Sequence, residues 1–333
     1  MKIGKVISLV TALSAAFLLL PLVQTQFYTV GLRWLYVLLV SYLVAVALTP
    51  LIRHMAIRIG AVDHPSSRKI HESATPLLGG VAVYLAFLIA ILASTAGLAA
   101  PLVLNEGMLG VLVGGTLLLL VGIRDDIQEV PATTKLMVQL VAAVIVIWAG
   151  KHLTFFPHGL WGDTLNVLLT MLWIVGITNA FNFFDGMDGL ATGLAIILAF
   201  FLGVVAFQTN QPALGWVAVA LVGAGLGFLP YNFRPKASAT IFLGDSGSTF
   251  LGFTLACLAV KGNWADKNPI VSVSTPILIF GILIYDMIHT TVVRIYLGKV
   301  RTVKEYLEYV GKDHMHHRLE RVLGSRTETV FII

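Results

Sequence analysis

The sequence predicts an all-α integral membrane protein, a polytopic bundle of about ten transmembrane helices. Three observations carry that prediction. Of the 333 residues, 57% are hydrophobic and only 12% charged, with a mean hydropathy of +0.89, which lies outside the composition of soluble domains. The apolar residues fall in about ten runs, many close to the ~20 residues a helix needs to cross the hydrocarbon core. Those runs are continuous rather than alternating, which excludes a β-barrel.

The first run covers residues 6–23, after a short basic start holding Lys2 and Lys5. A signal peptide has the same layout, but no A-x-A-like site follows, and a retained helix is expected. The other runs fall at 34–52, 77–99, 107–122, 136–150, 164–178, 190–207, 212–229, 247–260 and 271–292. Residues Thr329 to Ile333 read as the opening of a further, unfinished helix. The single cysteine, Cys257, lies inside an apolar run, so neither an intrachain disulfide nor a CxxC zinc site is available.

Lysine and arginine set the orientation. With the amino terminus and alternate loops on one side, eighteen of the 22 basic residues fall there, and only Arg33, Lys151, Lys261 and Lys267 fall opposite. The positive-inside rule makes the rich side cytoplasmic. Topology thus accounts for the basic balance, and no nucleic-acid partner is implied. Of the 17 acids, only Glu106, Asp163 and Asp266 lie on the poor side. Topology has no need of the other carboxylates, and their gathering at helix ends suggests a polar site open to the cytoplasm.

The richest stretch is Asn179 to Leu190, NAFNFFDGMDGL, with Asn179, Asn182, Asp185 and Asp188 at three-residue intervals. Charges at a helix centre cost ~2.5–3.5 kcal/mol on insertion scales, so the acids belong at the membrane surface. They read either as helix caps or as a site. Asp125 and Asp126 form an adjacent pair near a helix end, where mutual repulsion favours a bound cation or a raised pKa. Lys135 opens the next helix, as a topological anchor or a phosphate contact. Asp245 stands among small residues in FLGDSGS before another run, either as an N-cap or where a ligand or metal nears the backbone. The same letters occur in serine-protease nucleophile loops, but those need a β-barrel.

Asp313 to Arg318, DHMHHR, places His314, His316, His317 and Arg318 in a cytoplasmic loop. Zinc is one reading of these histidines. The oxygen-rich acids elsewhere suit Mg2+ or Mn2+ better, and the imidazoles beside arginine suit phosphate. Arg68, Lys69 and His71 form a basic, turn-rich loop after the second run. Asp286 lies inside the tenth run, where an acid is a functional candidate or a partner for Arg294 or His289.

Together these stretches resemble the polyprenyl-phosphate N-acetylhexosamine-1-phosphate transferase family. The matching pieces are Asp63 to Gly80, Asp125 and Asp126 with Lys135, Asn179 to Leu190, Asn232 to Pro235, Phe242 to Ser248 and Asp313 to Leu319. They run in family order over about residues 60–320 of a single transmembrane domain, 1–333, with residues 1–30 as an extra amino-terminal helix. The histidine pattern is similar to the branch that uses UDP-N-acetylglucosamine, ahead of the phospho-muramoyl-pentapeptide branch. Three features depart from the family: the extra first helix, a longer Lys236–Thr240 segment with Thr240 at a commonly basic position, and an early end in the last helix.

The resemblance implies transfer of sugar-1-phosphate from a UDP-N-acetylhexosamine to undecaprenyl phosphate, releasing UMP, in the bacterial cytoplasmic membrane. It implies Mg2+, with Mn2+ as substitute, on Asp245 with Asp125, Asp126 and Asp185. Asp125, Asp126, Asp185, Lys135 and His316 are its expected catalytic residues. Asn179, Asn182, Asp188, Arg68, Lys69, His71, His314, His317 and Arg318 are expected to bind substrate. An interhelical groove should seat the prenyl chain among membrane lipids, and a homodimer is left open. The rival from another class is a secondary transporter, but no internal repeat is evident and the acids avoid the midplane. A CDP-donor phosphotransferase lacks its Asp-Gly-x-x-Ala-Arg pattern, since Gly189 is followed by Leu190, Ala191 and Thr192.

Overall fold

The computed structural model describes residues 2–63, 74–95, 105–150, 152–265, 269–302, 305–306, 309 and 311–333. Among them are fourteen helices and one two-residue hairpin ladder. In order they are α1 (Lys2–Leu18), α2 (Pro21–Thr29), α3 (Arg33–Ile59), β1 (Val62–Asp63), β2 (Thr75–Pro76), α4 (Gly79–Thr95), α5 (Glu106–Ile127) and α6 (Ala132–Trp148). There follow α7 (Leu160–Phe183), α8 (Leu190–Gln208), α9 (Pro212–Asn232), α10 (Gly244–Lys261), α11 (Pro269–Ile279), α12 (Gly281–Tyr296), α13 (Met315–Leu323) and α14 (Arg326–Ile332). β1 and β2 pair antiparallel, Val62 opposite Pro76.

Each apolar run falls on a helix or a bent pair of helices, and among the described residues five to seven of them pass as full spans. Five helices, α3, α5, α7, α8 and α9, are long and apolar enough to cross a membrane, or seven spans if each bent pair counts as one. α1 and α2 meet at 68°, α11 and α12 at 73°. The first break falls before Pro21, whose ring removes a backbone donor. α6 has 17 residues, about 26 Å at 1.5 Å per residue, a little short of a ~30 Å core.

α10 forms the centre. Nearly all its residues from Ser246 to Val260 are buried, and it packs against α4, α5, α7 and α8. An apolar helix covered all round belongs inside a bundle. Phe250 stacks edge-on with Tyr84 (ring centroids 5.1 Å apart) and tilts against Phe87 at 5.6 Å. Near the start of α10 the backbones approach closely. A Cβ added to Gly122 of α5 would overlap the backbone of Ser246, so only glycine lets α5 lie against this turn.

Alternate helix ends meet at one side of the bundle. The ends of α5, α7 and α9 and the starts of α4, α6, α8 and α10 share hydrogen bonds there. Gly79 and Gly80 donate to the carbonyls of Phe242 and Leu243. Asn232, buried at the end of α9, accepts from Gly189 N and Thr192 Oγ1 and donates to Ile241 O. One amide thereby ties α8, α9 and the strap before α10 together, satisfying groups that burial would otherwise penalise.

Candidate active site

Three helix termini build the centre of the site. α5 extends past its expected end, so Asp125 and Asp126 sit in its last turn. Asp125 Oδ1 accepts from Val130 N at 2.7 Å, which closes the turn into α6. Lys135, in the first turn of α6, donates to Asp125 Oδ2 at 3.0 Å and to Asp245 Oδ2 at 2.9 Å. Asp245 itself occupies the first turn of α10.

Asp126 turns the other way. Its carboxylate accepts from Asp245 N (2.8 Å), Ser246 N (3.2 Å) and Ser246 Oγ (2.7 Å). A carboxylate from α5 thus satisfies the free N–H groups at the start of α10, where negative charge is favoured. The adjacent acids divide the labour: Asp126 seats α10 and Asp125 faces Lys135.

α7 likewise runs further than expected and includes Asn179 and Asn182. Asn182 Nδ2 donates to Asp245 Oδ1 at 3.2 Å and to Ser248 Oγ at 2.8 Å. Asn179 exchanges hydrogen bonds with Gln139 of α6 (2.6 and 3.3 Å) and donates to Val175 O. Asp185 and Asp188 lie in the turn from α7 to α8. Asp188 accepts from Ala239 N at 2.8 Å, holding the strap before α10. Burial, then the charges of Asp245, Asp126 and Asp188, push the Asp185 carboxyl well above the usual carboxylate range, against a hydrogen bond from Gly244.

The histidine loop closes over this turn. Phe183 packs on His314 (centroids 4.9 Å apart) and Phe184 on His316 (5.4 Å). A Cβ at Gly186 would stand 2.9 Å from His316 Nε2, so glycine admits the ring. Both nitrogens of His316 are buried without a hydrogen-bond partner. Burial above all pushes its pKa down to about 3, which leaves the imidazole neutral. Burial also lowers His317, opposed by Glu320, whose Oε2 lies 3.8 Å from Nδ1. Arg318 is turned back, donating to Asp313 O at 2.7 Å.

The expected residues Asp125, Asp126, Lys135, Asn179, Asn182, Asp185, Asp188, Asp245, His314, His316, His317 and Arg318 thus lie on adjoining elements at one side of the bundle. Arg68, Lys69 and His71 lie outside the described residues. Sequence reasoning passed over Gln139, which fixes Asn179, and treated Ser246 and Ser248 only as small residues. An amide four residues from Lys135 in an otherwise apolar helix was the available signal for Gln139.

Among the described residues no group of three or more His, Cys, Asp or Glu is arranged to hold a metal ion as it stands. The donor chemistry still suits a hard divalent cation. Carboxylates from α5, the α7–α8 turn and α10 meet here, and Asp125 and Asp245 already share the ammonium of Lys135.

Comparison with known proteins decides the family. Residues 108–263 match the model of glycosyl transferase family 4. The chain is 34% identical over 300 residues to the "Probable undecaprenyl-phosphate N-acetylglucosaminyl 1-phosphate transferase" of Bacillus subtilis (strain 168), covering 89% of this chain and 79% of that protein. It belongs to glycosyl transferase family 4. It is also 32% identical over 311 residues to the "Decaprenyl-phosphate N-acetylglucosaminephosphotransferase" of Mycobacterium tuberculosis (strain CDC 1551 / Oshkosh), covering 85% of this chain and 74% of that one. Similarity to the "Phospho-N-acetylmuramoyl-pentapeptide-transferase" of Staphylococcus epidermidis (strain ATCC 12228 / FDA PCI 1200) is 30% over 248 residues, 68% of this chain and 74% of the relative. The stretch matched by the family 4 model contains Asp125, Lys135, Asn182, Asp185 and Asp245, whereas the histidine loop lies beyond it.

Proposed function

We propose that this family 4 enzyme transfers N-acetylglucosamine 1-phosphate from its UDP conjugate to undecaprenyl phosphate, with the site facing the cytoplasm. The observation that supports this best is the junction of Asp125, Lys135, Asn182 and Asp245, drawn from four helices, α5, α6, α7 and α10. Relatives named for transfer of N-acetylglucosamine phosphate to undecaprenyl or decaprenyl phosphate match most of the chain.

In the reaction, an oxygen of the lipid phosphate attacks the β-phosphorus of the nucleotide sugar. The bond from that phosphorus to the bridging oxygen breaks, and UMP leaves with the bridging oxygen. The products are a prenyl-diphosphate-linked sugar and UMP. Both reactants are anionic, so charge and position are the main obstacles. Lys135 supplies a fixed positive charge at the junction. Asp125, in hydrogen-bond contact with Lys135, orients the attacking phosphate. With a second pKa near 6, that phosphate is largely dianionic at neutral pH and needs little help from a base. Asn182 fixes Asp245, and neutral His316 and His317 offer ring nitrogens to the donor. A divalent cation, Mg2+ or Mn2+, held by Asp245 with Asp125 and Asp185, would neutralise diphosphate charge; Asp126, expected as a further ligand, is instead taken up in capping α10.

The prenyl chain is best left in the bilayer. An apolar groove of about 310 Å³ on α12, lined by Tyr285, Ile288, His289, Val292 and Val293, supports that placement. His289, on its wall, lies 3.4 Å from Arg318 Nη1, which brings positive charge to the end of the groove.

The test is a panel of UDP-sugars offered to purified enzyme with undecaprenyl phosphate, scored by the mass of the lipid product. Product from UDP-N-acetylglucosamine with equimolar UMP is expected. Product from UDP-muramoyl pentapeptide alone would overturn the donor, and uptake into sealed vesicles without UMP would overturn the reaction.

A further inference from the structure

Behind the histidines lies a second polar cluster in which the sugar-phosphate chemistry has no evident part. Asp286 and Arg294 are both buried on α12, two turns apart on one face. Asp286 Oδ1 accepts from Met315 N at 2.6 Å, and Oδ2 lies 2.7 Å from His314 Nδ1. Arg294 makes a two-pronged contact with Asp313, Nε to Oδ2 at 2.9 Å and Nη2 to Oδ1 at 2.7 Å. The same Nη2 lies 3.2 Å from His314 Nε2. Tyr309 stacks on the guanidinium, with 4.5 Å from Cζ to the ring centroid.

These contacts fix the form of the ring. A guanidinium N–H can only donate, so His314 Nε2 must accept. A carboxylate facing Nδ1 then receives that nitrogen's hydrogen. Both nitrogens are committed inside the protein, and the ring is buried. His316 differs, since both its nitrogens are buried without a partner over the α7–α8 turn. The His314 and His316 rings are nearly parallel, 9° between planes with centroids 6.1 Å apart. His314 is also the N-cap residue of α13, which carries His316, so the anchor on the first ring places the second.

We propose that His314 is a strut rather than a substrate contact, locked as the neutral Nδ1–H tautomer by Asp286 and Arg294. These three are positioning residues that set His316 and His317 above Gly186. Because Asp286 and Arg294 ride on α12, which leaves α11 at a 73° bend, the orientation of that helix and the placement of the histidines are one variable. That the positioned histidines meet a UDP-sugar rests on the transferase reading; the locked tautomer does not.

The experiment uses full-length protein in lipid nanodiscs with ¹⁵N,¹³C-labelled histidine at neutral pH, without substrate. The His314 signals are assigned by their loss in His314→Gln. Solid-state NMR is expected to show Nδ1 protonated and Nε2 bare in the wild type. An Nε2–H or doubly protonated ring would overturn the proposal, whatever the enzyme transfers. Asp286→Asn places an amide that cannot accept both hydrogens, and should redistribute the His314 tautomers. It should also lower kcat/KM for the UDP-sugar by about 10–100-fold, the range for loss of an orienting partner, mainly through KM. Asp286→Glu keeps the acceptor and should recover part of the loss. Loss of activity with unchanged His314 signals would also overturn the proposal. A wild type that releases no UMP from any UDP-sugar would defeat the functional reading while leaving the tautomer measurement decisive.

Discussion

Lys135 is shared by two carboxylates, and its removal should be felt through both. Lys135→Ala leaves Asp125 and Asp245 facing each other without countercharge. Turnover should fall by about 10² to 10³-fold, the scale for losing one preorganised donor at a site of developing charge, with partial recovery in Lys135→Arg. Wild-type UMP release by the alanine variant would take Lys135 out of the reaction.

Asp185 and His316 give opposite pH dependences. The Asp185 carboxyl is raised in the folded state, so the native form binds the extra proton; its contribution is full at low pH and lost as pH rises through the folded value. Asp185→Asn should therefore raise the thermal midpoint of metal-free protein at neutral pH by about 2 °C or more. If the proposed cation site holds Mg2+, the same change should also weaken the rise in midpoint expected on adding it. A lower midpoint, or an undiminished Mg2+ response, would contradict this. His316 is pushed down to about 3, below its unfolded value of about 6.5. The unfolded chain takes up the proton first, so stability is full above about pH 6.5 and declines as pH falls towards 3. His316→Gln should flatten the fall in thermal midpoint between pH 6.5 and 5, measured against wild type.

At the scale of elements, the site depends on how closely α5 approaches α10. Gly122→Val would drive a side chain into the Ser246 backbone. Overpacking of this kind costs about 1–3 kcal/mol, and here the strain falls one residue from Asp245. Activity should drop more steeply than the thermal midpoint does; a variant with wild-type turnover would show that the helices can separate without moving the carboxylate. Hydropathy marked each apolar run but not its polar ends. α5 and α7 continue beyond their apolar stretches because Asp125, Asp126, Asn179 and Asn182 find partners at the bundle end. Most of those partners, Gln139 for Asn179 and Asp245 for Asn182 among them, are distant in the chain, so no local window reveals them. The division of roles between Asp125 and Asp126 was invisible for the same reason: it depends on which helix each side chain meets.

For the whole molecule, the motifs announced the site and its convergence, while the histidine strut required coordinates. Asp286 was conspicuous as an acid in an apolar run, but its partner proved to be His314 rather than Arg294 or His289. The orientation proposed from the distribution of basic residues can be checked chemically. In a Cys257→Ser background, Ser238→Cys near the site should react with an impermeant maleimide only in opened cells, and Gln208→Cys at the far end of α8 in intact ones. The reverse labelling would invert the topology.

The most direct test of the account is UMP release by purified Asp245→Asn with UDP-N-acetylglucosamine, undecaprenyl phosphate and Mg2+, alongside a measure of intact folding. Asp245 is where α5, α6, α7 and α10 meet. The account predicts folded protein with turnover abolished. Near-normal turnover by that variant would contradict it.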